Sequence, residues 1–183
     1  SKNLNFENIS NMYHHHLDLT HHSLKEHNLL PCVSKNDSKA TEEFGNICIY
    51  LDGIRSAFNV GNIIRTTEAL RIGKIFFSEK TPFIDNDKVI KTSMGSHKLT
   101  PCERIRDISK LPRPIIALET GAEAVDIFEY IFPETFTLVL GNEEFGISDE
   151  ILKLCDYILK IPLTGFKNSI NVASAYAIFS SCY

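Results

Sequence analysis

The chain has 183 residues and a net charge of −4; 43% of its residues are hydrophobic and 23% are charged. Length favours one domain. The composition is that of an ordinary globular chain, and net acidity does not advertise a nucleic-acid binder, although a local basic patch can work on an acidic protein. No apolar run approaches the roughly 18 residues of a membrane-spanning helix, and the opening SKNLNFENIS has no signal-peptide core. The five cysteines, Cys32, Cys48, Cys102, Cys155 and Cys182, are odd in number, scattered and without a CxxC. They read as buried, reduced thiols of a cytoplasmic protein.

Residues 1–45 read as an N-terminal extension, partly helical or flexible, and 46–183 as the main folded domain. The extension holds six of the seven histidines. Leu17, Leu19, Leu24, Leu29 and Leu30 permit a short amphipathic helix or two. His14, His15, His16, His21 and His22 lack the HExxH spacing, and no nearby cysteine completes a zinc set, so a solvated surface is the reading and no metal is expected.

From residue 46 the pattern changes. ICIYL (47–51) predicts a strand. VGNIIRTTEALRI (60–72) sets Val60, Ile63, Ile64 and Leu70 at helical spacing before Gly73. KIFFS (74–78) predicts the next strand, and DKVIKTSM and CERIRDIS one short helix each. RPIIALE (113–119), TFTLVL (135–140) and YILKI (157–161) predict further strands, with a helix in SDEILKLC whose N-cap is Ser148. The closing segment is rich in Ala and Ser and reads as a closely packed helix. Apolar strands alternating with helices argue for an α/β fold, a mostly parallel sheet with helices on both faces.

Ligands in such sheets sit beyond the carboxyl ends of the strands. The loops there are DGIRSAFNVGN, TGAEA, GNEEFGIS and PLTGFKNSIN. Three of the four combine Gly and Asn with a charge, a pattern that turn chemistry alone accounts for in any single loop. None is a Walker loop, a GxGxxG or a GxSxG.

Three segments in order, NVGNIIRTTEALRIG (59–73), LVLGNEEFGIS (138–148) and IPLTGFKNSINVASA (161–175), are similar to the three motifs of the SpoU (TrmH-type) RNA ribose 2′-O-methyltransferases of the SPOUT superfamily. The resemblance spans about residues 46–183. It departs from the usual pattern at Ile170, where Leu is common, and at Glu144, where Gly is common.

The resemblance implies a C-terminal deep trefoil knot, which no general packing rule would choose. It implies S-adenosyl-L-methionine as cofactor, held largely by backbone groups at Leu118, Gly141, Ile161 and Ile170, and an RNA substrate, tRNA or rRNA. It places Arg65, Asn59, Glu143 and Asn171 in the catalytic set, with Asn59 and Glu143 holding the loops and orienting Arg65. Ser169, Arg55 and Lys167 are the implied RNA contacts. A homodimer through the C-terminal helix follows from the family as well. Two alternatives share the fold: an inactive knotted RNA-binding module, which has no need to keep all four catalytic residues, and a base N-methyltransferase, against which the Arg65 position argues.

Overall fold

The computed structural model describes residues 41–183 and positions 9, 12, 13, 15, 16, 19, 38 and 40. The chain divides into two compact units, Ser1–Pro31 and Cys32–Tyr183. In the first, Ile9, Met12, Tyr13, His15, His16 and Leu19 are helical. The readings that involve Leu17, Leu24, Leu29, Leu30, His14, His21, His22 and Cys32 lie outside the described residues. Among the described residues no cluster of three His, Cys, Asp or Glu could hold a metal, and no helix is long and apolar enough to cross a membrane.

The second unit is built on a seven-stranded sheet. Its strands are β1 (Ile47–Leu51), β2 (Gly73–Phe77), β3 (Cys102–Arg104), β4 (Ile115–Leu118), β5 (Val125–Asp126), β6 (Thr137–Leu140) and β7 (Tyr157–Lys160). The order is β3-β2-β1-β6-β4-β7-β5, and every pairing is parallel. The helices are α1 (Ala57–Ala69), α2 (Asp87–Ser93), α3 (Asp149–Leu152) and α4 (Val172–Cys182).

The period of two along each strand sorts side chains between two cores. Ile47, Ile49 and Leu51 of β1 pack with Val60, Ile63 and Ile64 of α1 and with Tyr176 and Phe179 of α4. Tyr50 faces the other way, joining Phe76, Ala117 and Val139, with Ile108 and α3 residues Ile151 and Leu152 covering them. Both faces are therefore covered, which is what strands that read as continuous apolar runs require.

Four local features differ from the expectations. CERIRDIS is not a helix: Cys102–Arg104 forms β3 and only Ile108–Lys110 makes a short 3-10 turn. Its backbone instead completes the open edge of β2, where Ile75 N donates to Pro101 O at 2.9 Å and Ile105 N to Phe77 O at 3.1 Å. The two-residue β5 was not expected. Ser148 stands at the N-cap position of α3 without a side-chain capping bond, and its N–H donates to Asp52 Oδ2 at 2.8 Å. The fourth is α4, which is anchored by fully buried aromatics, Tyr176 and Phe179, with the Tyr176 hydroxyl 2.7 Å from Thr67 Oγ1. Ala173 is buried beside them, but Ser174 and Ala177 are exposed.

The cysteines are also not uniformly buried. Cys48, Cys102 and Cys155 are half-buried free thiols, while Cys182 is exposed. Burial pushes the thiols of Cys102 and Cys155 up to about 12 and about 11.

Candidate active site

The carboxyl ends of β4, β6 and β7 open into a cleft of about 840 Å³ that is lined by Leu118, Gly141, Ile161 and Ile170, with Glu143 and Asn171 at its polar side. That volume lies within the roughly 300–1,000 Å³ of small-molecule sites. The four residues named as cofactor contacts thus meet around one space, although they lie far apart in sequence.

The loop after β6 is fixed from several sides. Asn142 and Gly146 exchange two backbone hydrogen bonds of 2.9 Å. Asn142 Oδ1 accepts from the N–H groups of Glu144 and Phe145, and its Nδ2 donates to Gly53 O at 2.6 Å. A Cβ on Gly141 would lie 2.4 Å from Gly146 C and Ile147 N, so only glycine allows this closure. Glu119, at the end of β4, accepts from Ile147 N at 3.0 Å through Oε2. Glu119, Asp52 and Asn142 were not singled out from the sequence. The available signal was a polar residue directly after each apolar strand, as in IYLDG and IALET.

A chain of side chains ties this loop to α1 and α4. Glu143 Oε1 accepts from Asn59 Nδ2 at 2.7 Å and Ser56 N at 3.0 Å, and its Oε2 accepts from Arg55 N at 2.9 Å. Asn59 Oδ1 accepts from Asn171 Nδ2 at 2.9 Å. Asn171 Oδ1 accepts from Ala173 N and Ser174 N, capping α4. Partial burial works to raise the Glu143 pKa, but the bonds donated by Arg55, Asn59 and Ser56 outweigh it and hold the carboxyl below its ordinary value. A carboxylate at the start of α1 also suits the helix dipole.

Arg65 lies on the exposed side of α1 and borders a second hollow with Asn62, Thr66, Ser174 and Ala177. Asn171 lines both this hollow and the cleft. Among the described residues the Arg65 guanidinium has no hydrogen bond or ion pair, so Asn59 and Glu143 hold loops without touching it. Ser169 lines the cleft, and Lys167 is exposed on the loop before α4. Arg55 Nη1 pairs with Glu144 Oε2 at 2.5 Å.

The model of the SpoU rRNA Methylase family matches residues 46–181. The chain belongs to this family. A relative from Bacillus subtilis, the 23S rRNA guanosine 2′-O-methyltransferase RlmP, is 30% identical over 141 residues, 71% of this chain and 54% of its own length. Among solved structures, an AdoMet-bound rRNA methyltransferase from Sinorhizobium meliloti matches with a TM-score of 0.69 at 24% identity, over 76% of this chain and 56% of that one. The SpoU methyltransferase AviRb from Streptomyces viridochromogenes, in complex with AdoMet, matches with a TM-score of 0.69 at 23% identity, over 87% of this chain and 67% of that one. The fold of this SpoU chain is that of these enzymes, C-terminal knot included. The chain spans about half to three-fifths of the length of the curated relatives it matches.

Proposed function

We propose that the chain methylates a ribose 2′-hydroxyl of tRNA or rRNA with S-adenosyl-L-methionine as donor. The observation that carries this reading is the position of Asn171, with the cleft on one side and the hollow bordered by Arg65 on the other. A donor site and a cationic acceptor site then adjoin.

The residues of the cleft suit the cofactor. The apolar walls at Leu118, Ile161 and Ile170 fit a purine, the bare backbone at Gly141 allows close approach, and Glu143 and Asn171 add polarity at one side. When bound, the cofactor supplies an electrophilic methyl on sulfonium. The rest is positioning and proton removal. A 2′-oxygen that accepts the methyl would have to give up its proton. A guanidinium stays protonated in proteins, so Arg65 serves as a fixed charge toward the alkoxide or the adjoining phosphate. Both oxygens of Glu143 already accept hydrogen bonds from the loops. The reading assigns the proton to water or a phosphate oxygen.

The test is methyl transfer to bulk tRNA and rRNA, followed by digestion to nucleosides. A 2′-O-methylnucleoside is expected; a base-methylated product or no transfer to either RNA would overturn the reading.

Two further elements belong to this reading. The exposed small residues Ser174 and Ala177 of α4 leave room for close approach of a second copy, and light scattering should give twice the chain mass; a monomer at micromolar concentration opposes it. The free thiols favour a reducing compartment, the cytoplasm.

A further inference from the structure

Glu144 and Phe145 occupy the tip of the loop after β6, and the function above uses neither. Glu144 stands where the family resemblance has glycine. Phe145 is 71% exposed on a loop whose backbone is otherwise fixed. The Asn142 side chain holds the N–H groups of both residues, and the Asn142–Gly146 bridge closes the loop beneath them. The ring is thus presented on a rigid base. Arg55 completes the group from the loop after β1: its Cζ lies 5.2 Å from the Phe145 ring centroid, and its Nη1 is paired with Glu144. Phe145 and Glu144 also line the cleft.

We propose that Phe145 and Arg55 form a docking platform for an unpaired nucleotide of the RNA substrate, and that Glu144 holds Arg55 in the free protein in the place a phosphate takes on binding. The inference rests on the reading of the chain as an RNA methyltransferase. An exposed aromatic face stacks any base, because every base has a π-face. A guanidinium is a planar fork that fits a carboxylate or a phosphate equally, so Glu144 and the RNA backbone compete for one group. A glycine at this position would leave Arg55 open to any polyanion. Glu144 instead makes RNA displace an existing partner, which weakens electrostatic binding of strands that do not also stack on Phe145. The rigid backbone keeps the aromatic in place while the exposed ion pair exchanges.

The test uses the full chain with S-adenosylmethionine and a fluorescein-labelled single-stranded RNA of mixed sequence, about 12 nucleotides long, within the range of single-strand sites. Anisotropy titrations over a salt series compare wild type, Phe145→Ala, Phe145→Tyr, Glu144→Gln, Arg55→Ala and the double variant. Phe145→Ala should weaken binding about five-fold or more, and Phe145→Tyr should restore it. Glu144→Gln should tighten binding and steepen the salt dependence by about 0.7 in log–log slope, one more phosphate contact on a single strand. In the Arg55→Ala background the Glu144→Gln effect should vanish. Ultraviolet crosslinking should place RNA on the peptide containing Phe145. Equal tightening by Glu144→Gln with and without Arg55 would show general repulsion and overturn the exchange. Unchanged affinity in Phe145→Ala, with no crosslink there, would overturn the platform. If the wild type binds no RNA, the RNA reading itself fails, and that outcome is distinct from either of these.

Discussion

Asn171 Nδ2 donates to Asn59 Oδ1 at 2.9 Å, while Asn171 Oδ1 caps α4 by accepting from Ala173 N and Ser174 N. One side chain therefore performs two tasks that need opposite ends of an amide. Aspartate separates them. Asn171→Asp keeps the capping oxygen, and aspartate is as good an N-cap as asparagine. It cannot donate to Asn59, and a rotated Asn59 amide would turn its oxygen toward Glu143. Asn171→Asp should unfold within about 1 kcal/mol of the wild type yet lose most methyl transfer, whereas Asn171→Ala should lose about 1 kcal/mol through the cap as well. Chemical denaturation beside a transfer assay checks both; full activity in Asn171→Asp would show that the link to Asn59 is dispensable.

Glu143 gives a pH dependence with a definite sign. Its carboxyl is held below the ordinary value of 4.5 in the folded protein. The folded state then favours the ionised form, and this contribution to stability is complete above pH 4.5 and lost as pH falls through the lower folded value. Glu143→Gln should flatten this part of the stability curve below pH 4.5. It also places an amide N–H₂ where Asn59, Ser56 and Arg55 already donate, so the loops before α1 should loosen at neutral pH. Denaturation midpoints at a series of pH values test this; an unchanged acid limb in the variant would remove Glu143 from the account.

Gly141 is needed for space. A methyl group there meets backbone atoms of Gly146 and Ile147 at 2.4 Å, and backbone cannot move aside as a flexible side chain can. Gly141→Ala should destabilise by about 1–3 kcal/mol, the usual range for overpacking. Cofactor affinity should fall with it, because the same loop walls the cleft. Calorimetry with S-adenosylmethionine measures the second effect, and wild-type affinity would place the cofactor elsewhere.

The main strands and α1 were legible because β1, β2, β4, β6 and β7 are apolar runs and Val60, Ile63 and Ile64 recur at helical spacing. β3 was not legible, since two of its three residues, Glu103 and Arg104, are charged, and it becomes a strand only because β2 offers an open edge. For the site, resemblance supplied the residues and the fold supplied their adjacency. Composition gave no sign that Leu118, Gly141, Ile161 and Ile170 would border one cleft, because that depends on β7 inserting between β4 and β5. Arg55 shows what a resemblance leaves out: it implies an RNA contact at this position, and the fold adds an ion pair with Glu144, the residue at which the chain departs from the family pattern.

Arg65 is where the proposed chemistry is most directly tested. It is exposed, and among the described residues nothing holds its guanidinium, so Arg65→Ala should fold as the wild type does. Cofactor affinity should also be nearly unchanged, since Arg65 borders the second hollow rather than the cleft. Methyl transfer should fall roughly 100- to 1000-fold, the usual loss when a partner for transition-state charge is removed. Arg65→Lys separates two roles for the cation. Lysine keeps the charge without the planar fork, so a bidentate phosphate clamp fails nearly as badly with lysine as with alanine. A lysine variant with much of its rate restored would show that a point charge near the alkoxide is sufficient. Near-normal turnover of Arg65→Ala on the natural RNA would remove Arg65 from the reaction, and with it the main support for ribose as the acceptor.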